Sequence, residues 1–445
     1  MVITKYGSIE GIKREDYTEY RGIPYAKAPI GELRWKEPQE MEPWEGVLQA
    51  VDFRNACIQD PPAMEPTDKD FYSDPHYKRP YSEDCLYLHI WVPNKIENKK
   101  LPVAFWIHGG AYLGGCGSEM EFDGRAYCRH SIILVSIEYR CNVFGFLAHP
   151  WLSEENERSI SGNYGMLDQI AALKWVYENI EAFGGDKDKI TVLGQSAGAM
   201  SVQALISSPL SAHMICGAIM QSGGSYGSGL LTDLPMEQAE KYGMIYVELL
   251  HARSLEELRK MSAEQIMAVL GEFIQKTAGM GRGMFKFIPN IDGYVLTNTY
   301  DKRIDDKKIP RIPYMLGTTK NDILVTKEML EKHDFSELYK GCIAFSLKLE
   351  EIGYDPAYVY YFTRNLPGDN YGAWHSADLW YMFDTMDRSW RPWTERDYRL
   401  RDKMIKYWTN FIKYGDPNGD YNNGTEDIRH WKKCTKQNPY IEELS

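Results

Sequence analysis

Residues 190–208 read ITVLGQSAGAMSVQALISS, a short β-branched run followed at once by a helical pattern, with one serine at the join. Ser196 is hemmed in by Gly194, Ala197 and Gly198. A serine standing on a sharp strand-to-helix turn needs such neighbours, because bulky side chains there would strike the next strand and the turn requires unusual backbone angles. A strand that runs directly into a helix also implies a parallel sheet, since the helix is the crossover to the next strand.

The rest of the chain fits that frame. Strand-length apolar runs occur at VAFWI (103–107), IILVSIEY (132–139), GAIMQ (217–221), IPYMLG (312–317) and AYVYYFT (357–363). MLDQIAALKWVYENI (166–180) carries apolar residues at helical spacing and fits a crossover helix. The expected fold class is therefore α/β, with a mostly parallel, doubly wound central sheet and helices on both faces. MVITKYGSIEGIK alternates like a hairpin, and DYRLRDKMIKYWTNFIKYGDPNG reads as an amphipathic helix ended by a turn. No linker or repeat divides the chain, so one domain over 1–445 is expected. Its lid-like excursions fall near 58–82, 225–310 and 323–356.

Composition excludes several classes of function. Lys and Arg number 51 against 63 Asp and Glu, a net charge of −12, which disfavours a phosphate-backbone partner. No run of about 18 apolar residues offers a membrane span. The first residues lack the apolar core of a signal peptide, so a cytoplasmic location is expected. The eight cysteines show no spacing of a zinc site, and neither metal nor cofactor is expected. The oligomeric state is not legible.

A serine hydroxyl needs a base within reach, and that base needs an orienting carboxylate. On this architecture the order is Ser, acid, His. His333, His375 and His430 leave room for an intervening acid, and His375 lies on the loop beyond AYVYYFT, at the strand end where catalytic groups gather. The alternative is a histidine packed beside Trp374 and Trp380. GTTKND follows IPYMLG in the right interval and offers Asp322; Asp292, Glu328 and Asp378 are worse placed. IHGGAYLGG follows VAFWI, and its backbone N–H groups, with that of Ala197, could meet a developing oxyanion. Gly109, Tyr112 and Trp374 are candidates for the substrate pocket, although either ring could equally belong to the core.

These segments carry a family likeness. FGGDKDKITVLGQSAG (183–198) and SEDCLYLHIWVP (82–93) resemble the two signatures of the type-B carboxylesterase and cholinesterase family of α/β-hydrolases, in its bacterial form. RGIPYAKAPIGELRW, GNYGMLDQIAALKWV, QSGG and GAWHSADLWYMF are similar to further stretches of it. The resemblance implies Ser196 as nucleophile, His375 as base, Gly110, Ala111 and Ala197 as oxyanion donors, and Ser222 as a partner near the acid. It also implies that Cys57 and Cys85 lie close together, expected as thiols in a cytoplasmic chain. The chain departs from the family in GTTKNDI, with Asp322 where a Glu is usual and Ile323 where a Gly is usual. The expected function is a serine carboxylesterase acting on small neutral esters. A non-catalytic binding protein of the same fold, and an amidase or peptidase with the same residues, are the alternatives.

Overall fold

The computed structural model describes residues 1–445 apart from 62–64, 96–99, 229–233, 333 and 420–429, so His333 lies outside the described residues. Its centre is a ten-stranded sheet. In chain order the strands are β1 (Ile12–Lys13), β2 (Tyr17–Pro24), β3 (Tyr87–Pro93), β4 (Leu101–Ile107), β5 (Ile133–Ile137), β6 (Gly185–Gln195), β7 (Gly217–Gln221), β8 (Tyr314–Thr319), β9 (Tyr358–Phe362) and β10 (Glu442–Leu444). Across the sheet they run β10-β9-β8-β7-β6-β4-β5-β3-β2-β1. Every pairing from β5 through β4 and β6 to β10 is parallel, and β1, β2 and β3 add an antiparallel edge.

Each expected apolar run forms one of these strands, and the reason is burial on both faces. Successive side chains alternate sides, so Val103, Phe105 and Ile107 of β4 enter one core while Ala104 and Trp106 enter the other. The first core is closed by α1 (Tyr164–Asn179), α2 (Ala197–Ser207), α3 (Met236–Leu249) and α4 (Glu337–Glu351). The second is closed by α5 (Glu395–Tyr414), whose Leu400, Met404, Trp408 and Phe411 line one face. Thr394 and Asp397 form a capping box at the start of α5, and Gly415 ends it at φ 71° in the left-handed region that glycine tolerates.

The excursion after β2 corrects one expectation. Cys57 and Cys85 are joined as a disulfide with 5.1 Å between their Cα atoms, rather than standing as thiols. Local pairing brings them together: Ala56–Cys57 lies alongside Tyr81–Ser82, three residues short of Cys85. Within the loop so closed, Asp70 forms a buried ion pair with Arg391 (2.6 Å), and Phe71 packs on Trp374 and Trp380.

Candidate active site

β6 delivers Ser196 at the carboxyl end of the sheet. Its φ of 56° and ψ of −125° place a non-glycine residue in a sparsely populated conformation, which costs about 1–3 kcal/mol and is the mark of an enforced turn. The small neighbours have measurable reasons. A Cβ on Gly198 would lie 2.1 Å from the Ile107 carbonyl oxygen, and one on Gly194 would lie 2.5 Å from the backbone of Gly198. α2 therefore starts in contact with the end of β4. Ser196 N–H donates to the Gln221 carbonyl (2.8 Å), extending the sheet pairing to the serine.

The loop after β4 lies against this turn, since a Cβ on Gly109 would come within 3.1 Å of the Ser196 Cβ. Gly110, Ala111 and Tyr112 have φ of 101°, 60° and 60°, a sharp reversal. The Gly110 carbonyl accepts from Leu113 N–H (2.9 Å) and Gly114 N–H (3.2 Å). Asn142 ties the loop from below, donating to the Ile58 and Leu113 carbonyls. Among the described residues the N–H groups of Gly110, Ala111 and Ala197 donate to no protein acceptor. Gly110 is exposed and Ala111 half-buried, so two of these donors stand at the surface beside the serine.

The loops after β8 and β9 bring acid and base together. Asp322 Oδ1 contacts His375 Nδ1, and Asp322 Oδ2 accepts from Ser222 Oγ (2.7 Å) and Thr319 N–H (3.1 Å). Ile323 N–H also donates to Oδ1 (2.8 Å). Burial alone would raise the Asp322 pKa, but the His375 ring, the Ser222 hydroxyl and the Thr319 N–H outweigh it and hold the carboxyl below its ordinary value. The carboxylate is fully buried, whereas the His375 side chain keeps 20% of its surface exposed. The competing acids are engaged elsewhere. Asp292 accepts from three consecutive N–H groups in its own turn, and Glu328 sits in a short helix paired with Lys332. Asp378 accepts from Gln221 Nε2 and Tyr360 Oη, both at 2.9 Å.

Ser196 Oγ makes no hydrogen bond among the described residues. Its link to the imidazole is one of placement: Gln195 Nε2 donates to the His375 carbonyl (2.8 Å), and the Gln221 that receives Ser196 N–H adjoins Ser222. Gln195 was not legible as a functional residue, because inside GQSAG it reads as filler between glycines. Of the two candidate pocket rings, Tyr112 is 2% exposed and packs edge-on against Phe146. Trp374, at 5%, packs on Phe71. Both are core rings on the chain that carries the site.

Comparison with known proteins identifies the family. The model of the family described as "Carboxylesterase family" matches residues 1–340 and 336–444. Para-nitrobenzyl esterase of Bacillus subtilis is 32% identical over 462 residues, covering 94% of this chain and 90% of the relative. Fumonisin B1 esterase of Sphingopyxis macrogoltabida is 35% identical over 317 residues, covering 71% of this chain and 54% of the relative. A solved PNB esterase structure superimposes with a TM-score of 0.84 at 28% identity, covering 100% of this chain and 95% of that one, and shares its α/β-hydrolase fold. Because the family model spans residues 1–340 and 336–444 and the B. subtilis relative covers 94% of the chain, this chain belongs to the carboxylesterase family and is a carboxylic-ester hydrolase.

Proposed function

We propose that this chain hydrolyses small neutral carboxylic esters through an acyl-enzyme on Ser196. In this reading Ser196 Oγ attacks the ester carbonyl carbon as His375 Nε2 takes the hydroxyl proton. The oxyanion of the tetrahedral intermediate accepts from the N–H groups of Gly110, Ala111 and Ala197. Collapse expels the alcohol, which leaves with the proton from His375, and water then repeats the sequence on the acyl-enzyme. Asp322 holds the ring with Nδ1 protonated and stabilises the imidazolium.

The observation that carries the reading is the shared carboxylate of Asp322, one oxygen on His375 and the other on Ser222, buried and ionised directly behind the base. Such an arrangement fixes the Nδ1–H tautomer of the ring and favours its cationic form. The esterases of B. subtilis and S. macrogoltabida support the ester class by their names. An amidase or peptidase reading shares the same intermediate, and substrates separate the two.

The test is turnover of p-nitrophenyl acetate, butyrate and octanoate against the matched anilides, with labelling by a fluorophosphonate. Ester turnover without anilide turnover is expected, and a label on Ser196 that disappears in Ser196→Ala. Labelling that survives Ser196→Ala would refute the nucleophile, and faster anilide cleavage would favour the amidase.

A further inference from the structure

We propose that Gln59 is a positioning residue for the oxyanion loop; this rests on the roles given above to Gly110 and Ala111. Its side-chain amide pairs both ways with one backbone residue, Nε2 donating to the Gly115 carbonyl (2.9 Å) and Oε1 accepting from Gly115 N–H (2.7 Å). Nε2 also donates to the Cys57 carbonyl (3.1 Å), so the amide itself is fixed, beside the disulfide. A Cβ on Gly114 would lie 2.4 Å from Gln59 Oε1. The loop is therefore built of glycine where the amide presses on it.

The route from Gln59 to the chemistry is short. A peptide unit is planar, with its C=O and N–H pointing in opposite directions. The carbonyl of the Gly110–Ala111 peptide is held by the N–H groups of Leu113 and Gly114, and this aims the Ala111 N–H outward on the far side. Gly114 in turn packs so closely under Gly110 that a Cβ there would lie 2.1 Å from the Gly114 oxygen. Gln59 fixes the Gly114–Gly115 end of this chain of contacts. Without it, the Ala111 donor loses its aim while the Asp322–His375 pair is untouched.

The experiment uses Gln59→Met, which keeps the length but makes neither bond, and Gln59→Glu, which keeps an acceptor for Gly115 N–H. Each is assayed for kcat and KM on p-nitrophenyl butyrate, for inhibition by an aryl trifluoromethyl ketone whose serine adduct is an oxyanion, and for the pH midpoint of kcat/KM. Gln59→Met should lose about tenfold to a hundredfold in kcat with little change in KM, weaken ketone inhibition by the same factor and leave the pH midpoint in place. Gln59→Glu should fall between it and the parent, and carries the test alone if Gln59→Met does not fold. Wild-type kcat and ketone affinity in a folded variant, or a loss confined to KM, would overturn the proposal. So would a kcat loss without loss of ketone affinity. A parent enzyme that the ketone does not inhibit would instead refute the acyl-enzyme reading, and this proposal with it.

Discussion

The two sides of the site are held by opposite electrostatics. On the acid–base side, after β8 and β9, the buried Asp322 is kept ionised by the ring, hydroxyl and N–H groups around it. On the oxyanion side burial shifts the buried acids towards their neutral form. The loop from Gly110 to Gly115 runs into Cys116 and Gly117, whose N–H groups meet Glu119 Oε1 and Glu138 Oε1, both at 2.9 Å. Burial pushes the carboxyls of Glu119, Glu121 and Glu138 up, Glu121 and Glu138 far above the ordinary value. His108 is likewise neutral, pushed down to about 4 by burial. Depth alone does not decide ionisation; partners do. A negative charge is favoured behind the ring that must turn positive, and burial disfavours one beneath the loop that must receive a negative charge.

The largest expected effect comes from breaking the charged side. Asp322→Asn keeps size and shape but cannot stabilise the imidazolium or hold the tautomer, so turnover should fall about 10⁴-fold with little loss of thermal stability. Stopped assays on p-nitrophenyl butyrate, with a melting curve as control, measure both. A variant within a few-fold of the parent would mean that the imidazole is held by something else.

Next in size is a break on the neutral side. Gly110→Ala places a Cβ against the Gly114 oxygen at a backbone φ of 101°, so the loop must move. Turnover should fall about 10²-fold to 10³-fold, with the loss in kcat rather than KM, since the interaction is one of the transition state. A loss confined to KM would put Gly110 in substrate binding instead.

Asp378 sharpens the comparison because it lies on the charged side yet behaves like the neutral one. It has two neutral donors on Oδ2, no partner on Oδ1 and no cation, and burial raises its pKa from 3.8 to about 6. In the unfolded chain the proton leaves near 3.8, and in the fold near 6. Between those values the unfolded state binds fewer protons, so this group makes stability fall as pH rises through the window, by about 3 kcal/mol in all. Asp378→Asn keeps an acceptor for Gln221 and Tyr360 and has nothing to titrate. The stability gap between variant and parent should therefore widen from pH 4 to pH 6 and stay constant above, read from denaturant midpoints. Parallel curves would show that Asp378 is ionised in the fold throughout.

Much of the fold was legible because its cause is local. The runs at 103–107, 190–193 and 217–221 are apolar without alternation, as strands buried on both faces must be, and they form β4, β6 and β7. β10, Glu442–Leu444, was not legible: three residues with two acids acquire strand form only by pairing with β9. At the site, Ser196 announced itself through the small residues that its turn requires. Gln59 and Glu138 did not, because IQD looks like ordinary surface sequence and nothing in the run IILVSIEY shows what its Glu would meet, and only the tertiary fold sets one against Gly115 and the other in the core. Sequence shows groups whose neighbours in the chain are constrained, and is silent where the constraint comes from across the sheet.

The smallest expected effect tests the neutral side most directly. Glu138 accepts from Gly117 N–H on one oxygen, with His89 at 3.5 Å, and its other oxygen has no partner. An ionised carboxylate so buried would be costly and would oppose the oxyanion, so the proposal that this floor is uncharged requires the acid form at neutral pH. Glu138→Gln replaces that acid with a neutral group of the same shape, able to accept from Gly117 and to donate where the proton was. Turnover should then stay within about twofold of the parent, as a mutation that removes no transition-state charge requires. The melting curves carry the sign. In the parent the unfolded Glu138 loses its proton near the ordinary 4.5 while the folded one keeps it, so its contribution to stability declines as pH rises above 4.5. The Gln variant lacks that decline and should gain on the parent as pH is raised above 4.5. A tenfold or larger fall in turnover, or a gain that shrinks with pH, would mean that the carboxylate under the oxyanion loop is charged, and the division between the two sides would fail.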